Sequence, residues 1–269
     1  TGVQTCALPI SSSRMYNLQY ILDDGFVTID EIKDLKGKLP KGTYALTYGN
    51  LPWAFMSLLY GAGGTLENDM DDLTKDVWRK PMEKLKEAYD AGVIAPMDVD
   101  GEQAFGSGKA VFAQLGTWAQ GNMSNTLGAD KIAEANTLQY SADNPVNFFY
   151  QCNWMQLKDP HRSAAKSAAA ADFVKYVYEH WMDWSEVGSI SPAYRDLNNP
   201  EYQKLIQASF TNSKKERDYI KTSNYLYGGY ATAGWGTYND IVYGNVGLEE
   251  GLKTLDLMAQ GQIEIQEES

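Results

Sequence analysis

The sequence is short of the residues on which metal sites, disulfides and histidine-based catalysis depend. Its 269 residues include 2 cysteines and 2 histidines. Cys6 and Cys152 form no disulfide framework and fit no zinc-binding spacing, so we predict no metal site and no cofactor. His161 and His180 lie in no catalytic motif. His180 falls near the end of a predicted helix, where an imidazole offsets the helix dipole.

Basic residues and long apolar runs are also scarce. The 23 Lys and Arg are outnumbered by 35 Asp and Glu, which gives a net charge of −12. Because an acidic surface repels phosphate backbones, we expect no nucleic-acid partner. No apolar run reaches the ~20 residues of a membrane-spanning helix, and one of the longest, "WAFMSLLYGAGG", is interrupted by glycine.

Aromatic residues, in contrast, are abundant: the chain has 18 Tyr and 7 Trp. Trp53 stands at the start of a predicted helix, Trp118 lies just past a predicted strand, and Trp235 lies between glycines. Rings at such positions keep an open face, on which the apolar face of a sugar can stack. We therefore predict that these three tryptophans bind a ligand. Three others, at helical spacing, are expected in the core: Trp78, Trp181 and Trp184.

Strand and helix patterns alternate along the chain, which predicts an α/β fold. Thr28 and Glu31 have the spacing of a capping box at the start of a helix. "GTYALTYGN" predicts a strand that runs into a loop. A second short strand is predicted over Ala110 to Gln114, between glycines, with a helix starting after it.

Two longer amphipathic helices are predicted. "TKDVWRKPMEKLKEAYDAG" has apolar residues at helical spacing, and Pro81 predicts a kink or a break within it. "SAAKSAAAADFVKYVYEHW" is rich in alanine, the best helix former, and places Phe173, Val177 and Trp181 in register.

Two groups of carboxylates leave a glycoside hydrolase open as an alternative function. One group comprises Asp69, Asp71 and Asp72, and the other Asp183 and Glu186. Among 35 acidic residues such groups arise by chance, and a solvated surface explains them better. The stretch "GSGK" is not a phosphate loop, because alanine follows the lysine.

The order of segments carries a resemblance. "GTYALTYGN", "LPWAFMSLLYGAGG" and "LKEAYDAGVIAP" precede a stretch with Phe105, then Gly108 to Ala110, then Gly116 to Trp118. This set resembles the bacterial extracellular solute-binding proteins of ABC importers, in particular the carbohydrate-binding type that includes the maltose-binding group. "MQLKDPHRSAAKSAAAADFVKYVYE" and "GWGTYNDIVYGNVGLEEGL" resemble later parts of the same proteins, so the resemblance covers about residues 25–262.

The resemblance implies a two-lobe α/β fold of the periplasmic-binding-protein type (type II) and a sugar held between the lobes, with no catalysis. Trp53, Trp118 and Trp235 match aromatic ligand-contacting positions of the family, and Asn153 is a candidate polar contact. The implied partners are a sugar or oligosaccharide and the permease subunits. The implied protein is monomeric and extracytoplasmic, either periplasmic or lipid-anchored. A peptide or polyamine ligand stays open.

The opening "TGVQTCALPI" is interpreted as non-native, because it back-translates into a widely used short-read sequencing adapter. We accordingly divide the chain into residues 1–10 of adapter origin and 11–148 of the C-terminal lobe. Residues 149–208 are assigned to the N-terminal lobe and 209–269 to the C-terminal helices and hinge. Most of the N-terminal lobe is expected to be missing, so we expect the chain alone to bind sugar weakly or not at all.

Overall fold

The computed structural model describes residues 3–7, 26–48, 51–116, 119–128, 131–135, 137–147, 159–187, 196, 198–205, 218–219 and 236–267. Its strands are β1 (Val3–Ala7), β2 (Tyr44–Tyr48), β3 (Ala110–Gly116), β4 (Ala133–Ala135), β5 (Val146–Asn147) and β6 (Asp218–Tyr219).

The helices in the first half are α1 (Ile29–Lys33), α2 (Leu51–Gly61), α3 (Leu66–Asp69), α4 (Asp76–Asp90), α5 (Gly101–Gly106) and α6 (Gln120–Leu127). The helices in the second half are α7 (Ala164–Glu179), α8 (Trp181–Val187), α9 (236–242) and α10 (Leu248–Glu267), and a 3-10 helix spans Tyr202–Lys204. None of the helices in the described ranges is both long enough and apolar enough to cross a membrane.

The main sheet has the order β2-β3-β1-β4. β2 and β3 run parallel, with Tyr48 opposite Gln114, whereas β1 is antiparallel to both β3 and β4. The opening segment that we interpret as non-native therefore supplies an inner strand, Val3–Ala7, to this sheet. Its origin stays a prediction, since a strand pairing reports backbone complementarity and not the source of the residues.

The sheet is covered on both faces, as the near-continuous apolar run of β3 requires. One face packs on a large core supplied by α1, α2, α4, α9 and α10, in which the ring of Phe55 stacks on Tyr238 at 4.7 Å between centroids. The other face packs on a smaller core of α5 and α6 around Phe105 and Met123. The molecule is thus an α/β layered structure, as predicted.

The local signals at the first helix and strand are confirmed. The Thr28 hydroxyl accepts a hydrogen bond from Glu31 N (3.2 Å), and Thr28 N donates to the Glu31 carboxylate (2.8 Å), which closes the capping box. The predicted strands are β2 and β3, and β3 extends two residues beyond Gln114.

The helix around Pro81 is not broken. α4 is continuous from Asp76 to Asp90 with Pro81 inside it, so the predicted break is wrong. Proline removes one backbone donor, but here its ring is buried on the same face as Trp78, Met82 and Leu85. The apolar contact of that face outweighs the lost hydrogen bond.

The alanine-rich helix forms, but its apolar residues are not buried as their register suggested. α7 ends at Glu179, and Trp181 begins a separate helix, α8. No residue of α7 is buried, and Phe173 is 51% exposed. Among the tryptophans assigned to the core, Trp78 is fully buried, whereas Trp184 is exposed, so that assignment is wrong for Trp184.

Candidate functional site

The carboxyl ends of the parallel strands β2 and β3 meet at one edge of the sheet. Tyr48 ends β2 and lies opposite Gln114, two residues before β3 ends at Gly116. α2 begins at Leu51 and α6 at Gln120, a few residues after each strand. Two helices therefore start at this edge, which is where open α/β sheets bind ligands.

A third helix start packs against α2. Phe55 in the first half of α2 stacks on Tyr238 near the start of α9, with the ring planes 28° apart. Phe55 also lies against Trp78 of α4, with 6.0 Å between the ring centroids. The first turn of α9 therefore lies against the helix that begins at the carboxyl edge of the sheet.

The predicted ligand tryptophans occupy these three helix starts in the chain. Trp53 is the third residue of α2, although its side chain lies outside the described residues. Trp118 falls between β3 and α6, and Trp235 directly precedes α9; both lie outside the described residues. Asn153 also lies outside them, six positions beyond the end of β5. The positions and contacts of the three rings therefore stay predictions.

The end of β2 lies in close contact with the start of α5. Gly101, at the start of α5, comes so near that a Cβ there would lie 3.1 Å from the Tyr48 carbonyl oxygen and 3.2 Å from Thr47 Oγ1. The hydroxyls of Thr47 and Tyr48 are buried and have no hydrogen-bond partner in the described structure. Burial raises the pKa of Tyr48 well above its ordinary value, with a smaller contribution from Tyr243.

The first group of carboxylates lies away from this edge and is used locally. Asp69 accepts from Thr65 N at 2.9 Å, beyond the far end of α2. The hydrogen bond from Lys75 lowers the pKa of Asp71, and the hydrogen bonds from Thr74 lower that of Asp72. A general acid of a glycoside hydrolase needs a raised pKa, so Asp71 and Asp72 do not suit that role.

The second group does not assemble with the first. Asp183 and Glu186 are exposed on α8, a helix that contributes to neither of the two cores. Among the described residues, no three His, Cys, Asp or Glu side chains are arranged to hold a metal ion.

The "GSGK" stretch closes a helix. Gly108 has a φ of 71°, and the amides of Ser107, Gly108 and Lys109 donate to the last carbonyls of α5. Since these donors are already paired, they cannot cradle a phosphate. This turn also gives a physical reason for the Phe, Gly-Lys-Ala part of the resemblance, because Phe105 anchors α5 in the smaller core and Ala110 starts β3.

One open cavity of about 420 Å³ lies between α5 and α6, lined by residues such as Gln103, Ser107, Asn122 and Thr126. It contains none of the predicted site residues. Its acidic side chains are partly engaged, since Asp100 caps α5 by accepting from Gln103 N at 2.8 Å.

Sequence reasoning missed a buried polar cluster behind the site. Gln139, Thr137, Ser57 and Gln114 are each at most 1% exposed and are linked to one another or to neighbouring backbone by hydrogen bonds. The stretch around 128–149 has no strong periodicity, so no pattern pointed to these residues. A buried polar residue needs hydrogen-bond partners, but the sequence does not show which polar residues are buried.

Comparison with known proteins agrees with this architecture. A family model described as bacterial extracellular solute-binding protein matches residues 2–210. Among curated proteins, none matches the sequence. Solved structures with a similar fold include the cyclic alpha-maltosyl-1,6-maltose binding protein from Arthrobacter globiformis, with a TM-score of 0.63 and 13% identity. That similarity covers 97% of this chain and 70% of the other.

Two further structures are similar over the same extent. The maltose/maltodextrin-binding domain MalE from Bdellovibrio bacteriovorus, bound to maltotriose, has a TM-score of 0.64 and 14% identity, covering 98% of this chain and 70% of that one. UgpB from Mycobacterium tuberculosis, in complex with glycerophosphocholine, has a TM-score of 0.71 and 12% identity, covering 98% and 69%. At these identities the likeness establishes the fold: the two-lobe architecture of periplasmic-type binding proteins, of which this chain spans about 70%.

The family consists of binding proteins, so the hydrolase alternative is not supported, in agreement with the lowered pKa values of Asp71 and Asp72. The family match spans most of the sequence and the fold agrees with it: the chain belongs to the bacterial extracellular solute-binding protein family.

Proposed function

We propose that the protein is the substrate-binding receptor of an ABC importer that captures a sugar or oligosaccharide in a cleft between two lobes. Trp53, Trp118 and Trp235 stack on sugar faces, and Asn153 supplies a polar contact. One arrangement carries this proposal: α2 and α6 begin at the carboxyl edge of β2 and β3, and α9 packs on α2. In the chain, one of these tryptophans stands at or next to the start of each of these helices.

Aromatic stacking suits this position for a physical reason. A sugar offers an apolar face and a rim of hydroxyls, so it binds where flat rings and hydrogen-bonding groups stand together. Closure of two lobes around it removes water from those hydrogen bonds, and contacts to both lobes shift the population towards the closed form. The closed receptor then docks on the permease and releases its solute.

The proposed location follows from the family. A receptor of this kind acts outside the cytoplasm, either free in the periplasm or anchored to the membrane by lipid. The protein acts as a monomer and uses no cofactor.

A fluorescence titration tests the proposal. The 269-residue chain and its Trp118→Ala variant are titrated with a panel of monosaccharides and oligosaccharides while tryptophan emission is recorded. Glycerophosphocholine, a polyamine and a short peptide complete the panel. The matched control is Trp184→Ala, which also removes one tryptophan, here an exposed residue of α8.

We expect a saturable change with a sugar, lost in Trp118→Ala and kept in Trp184→Ala, without hydrolysis products. Because the chain spans about 70% of its structural relatives, we expect that response to be weak. A response confined to the phosphodiester, polyamine or peptide would contradict the sugar assignment. A response that both variants keep would contradict the role of Trp118.

A further inference from the structure

Gln139 occupies an unusual position among the buried polar residues. Its backbone joins the segment before α1: Gln139 N donates to Val27 O at 2.9 Å, and Ile29 N donates to Gln139 O at 3.0 Å. Its side-chain oxygen accepts a hydrogen bond from the backbone N of Val146, the first residue of β5, at 2.7 Å. The side-chain amide nitrogen donates to Thr137 O at 2.5 Å. One residue with no exposed surface thus holds two separate segments of chain.

The segment that contains Gln139 is itself fixed to the core. The Thr137 hydroxyl donates to Ser57 of α2 at 2.8 Å, and Leu138 N donates to Gln114 of β3 at 3.1 Å. Asn144 donates to the Tyr60 carbonyl oxygen at the end of α2, at 3.1 Å. Residues 137–144 therefore form a base that rests on the core.

β5 leads from this base into a different part of the molecule. β5 pairs in parallel with β6 in a two-stranded sheet of its own, with Val146 opposite Asp218. α7, α8 and the 3-10 helix lie between these two strands in the chain, and no described residue from 159–205 belongs to either core cluster. β5 and β6 are thus the outgoing and returning connections between the core and that region.

We propose that Gln139 is the positioning residue of the hinge: its side-chain amide fixes the direction in which β5 leaves the core. This inference rests on the proposed function, in which two lobes close about a solute. A hinge needs one rigid side from which the other swings. The amide of Gln139 provides this rigidity because it satisfies a donor of β5 and is itself held by Thr137 in the buried base.

The test is hydrogen–deuterium exchange of the 269-residue chain, read on the peptide that contains Val146. In Gln139→Met the Val146 amide loses its acceptor, and we expect exchange of this peptide to rise by about tenfold. Exchange of peptides from β2 and β3 should rise only as far as the loss of global stability explains. That loss is measured by urea unfolding. The matched control is Gln114→Met, an equally buried glutamine whose side-chain oxygen accepts from Leu138 N.

A rise at β5 in Gln139→Met that is absent in Gln114→Met supports the proposal. An equal rise in both variants, or a parallel rise in β2 and β3, would show only general loosening and would overturn it. If Gln139→Met does not fold, Gln139→Asn replaces it, because this side chain keeps an amide but is one methylene too short to reach Val146 N. We expect about threefold faster exchange at β5 there, and no change would also overturn the proposal.

Ligand binding provides a separate readout. With a solute that the unmodified chain binds, Gln139→Met should weaken binding more than Gln114→Met does at matched stability. A solute that binds both variants equally would contradict the hinge role while leaving the receptor function intact. If no solute binds the 269-residue chain, the exchange result alone decides whether Gln139 anchors β5.

Discussion

α4 and α7 are helices of nearly equal length, 15 and 16 residues, with opposite surroundings. α4 buries one complete face against the large core, consisting of Trp78, Pro81, Met82, Leu85 and Ala88. α7 buries no residue, and its aromatic side chains Phe173, Tyr176 and Tyr178 are all more than half exposed. The two helices therefore owe their stability to different sources.

α7 is stabilised by local interactions. Alanine has the highest helix propensity, and the Ser163 hydroxyl caps the helix by accepting from Lys166 N at 3.2 Å. At the other end the His180 ring lies 3.8 Å from that of Tyr176 and its Nδ1 is 2.8 Å from the Tyr176 carbonyl oxygen. α4 contains proline and depends on its packed face. The comparison shows that a strong helix signal does not imply a buried helix.

The largest loss of stability is expected when a side chain is removed from the buried face of α4. Trp78→Ala deletes a fully buried ring and the hydrogen bond from Trp78 Nε1 to Asp69 O at 2.8 Å. We expect a loss of about 3–5 kcal/mol in the free energy of unfolding, measured in urea. Trp184→Ala, on exposed α8, should cost less than about 1 kcal/mol. Equal losses would contradict the contrast between the two regions.

The second-largest loss of stability is expected where α10 packs on α9. Gly251 is buried, and a Cβ there would collide with Ile241 Cγ1. Gly251→Ala should therefore destabilise the core by about 1–3 kcal/mol. Gly261, on the same helix, has open space around it. Gly261→Ala should be neutral or stabilise by up to about 1 kcal/mol, since alanine favours the helix. Both values come from urea unfolding, and a reversed order would show that α10 packs differently.

Alkaline pH provides a smaller and more specific test of the core. Burial, with a contribution from Tyr89, raises the pKa of Tyr243 from 10.0 to about 12. The folded state then holds this proton more tightly than the unfolded state, so stability is fully present below pH 10 and is lost as pH rises towards 12. Tyr243→Phe should reduce this loss by up to about 1.3 kcal/mol, measured by urea unfolding between pH 9 and 11 at about half-unit steps. An unchanged pH dependence in Tyr243→Phe would contradict the burial of this hydroxyl.

The smallest effect is expected on α7. Phe173→Ala removes a ring that is 51% exposed and replaces it with a better helix former. We expect a change within about 0.5 kcal/mol in the same assay. A loss above about 2 kcal/mol would show that this face of α7 is packed in solution.

The sequence predicted best what is decided within a few residues. The capping box of Thr28 and the strands β2 and β3 each follow from neighbouring residue types. The exposure of Trp184 could not be predicted, because its spacing matches that of buried Trp78 and only tertiary contacts distinguish them. The role of Gln139 could not be predicted either, because it depends on tertiary contacts. Its hydrogen-bond partners include residues seven and over a hundred positions away along the chain.

The candidate site could be predicted from the sequence only in part. Sequence reasoning selected Trp53, Trp118 and Trp235 one at a time, from their flanking glycines and prolines. The parallel pairing of β2 with β3 and the stacking of Phe55 on Tyr238, which relate the neighbouring helices to one another, could not be read from the sequence. Whether the three rings face one ligand stays a prediction.

The central claim is that solute binds at the carboxyl edge of β2 and β3. The most direct test is hydrogen–deuterium exchange with and without the solute that responds in the fluorescence titration. We predict slower exchange in peptides covering 47–54 and 115–121, and no change in those covering 67–75 or 181–187. Protection confined to either of the last two segments, which contain the carboxylate groups, would contradict the proposed site.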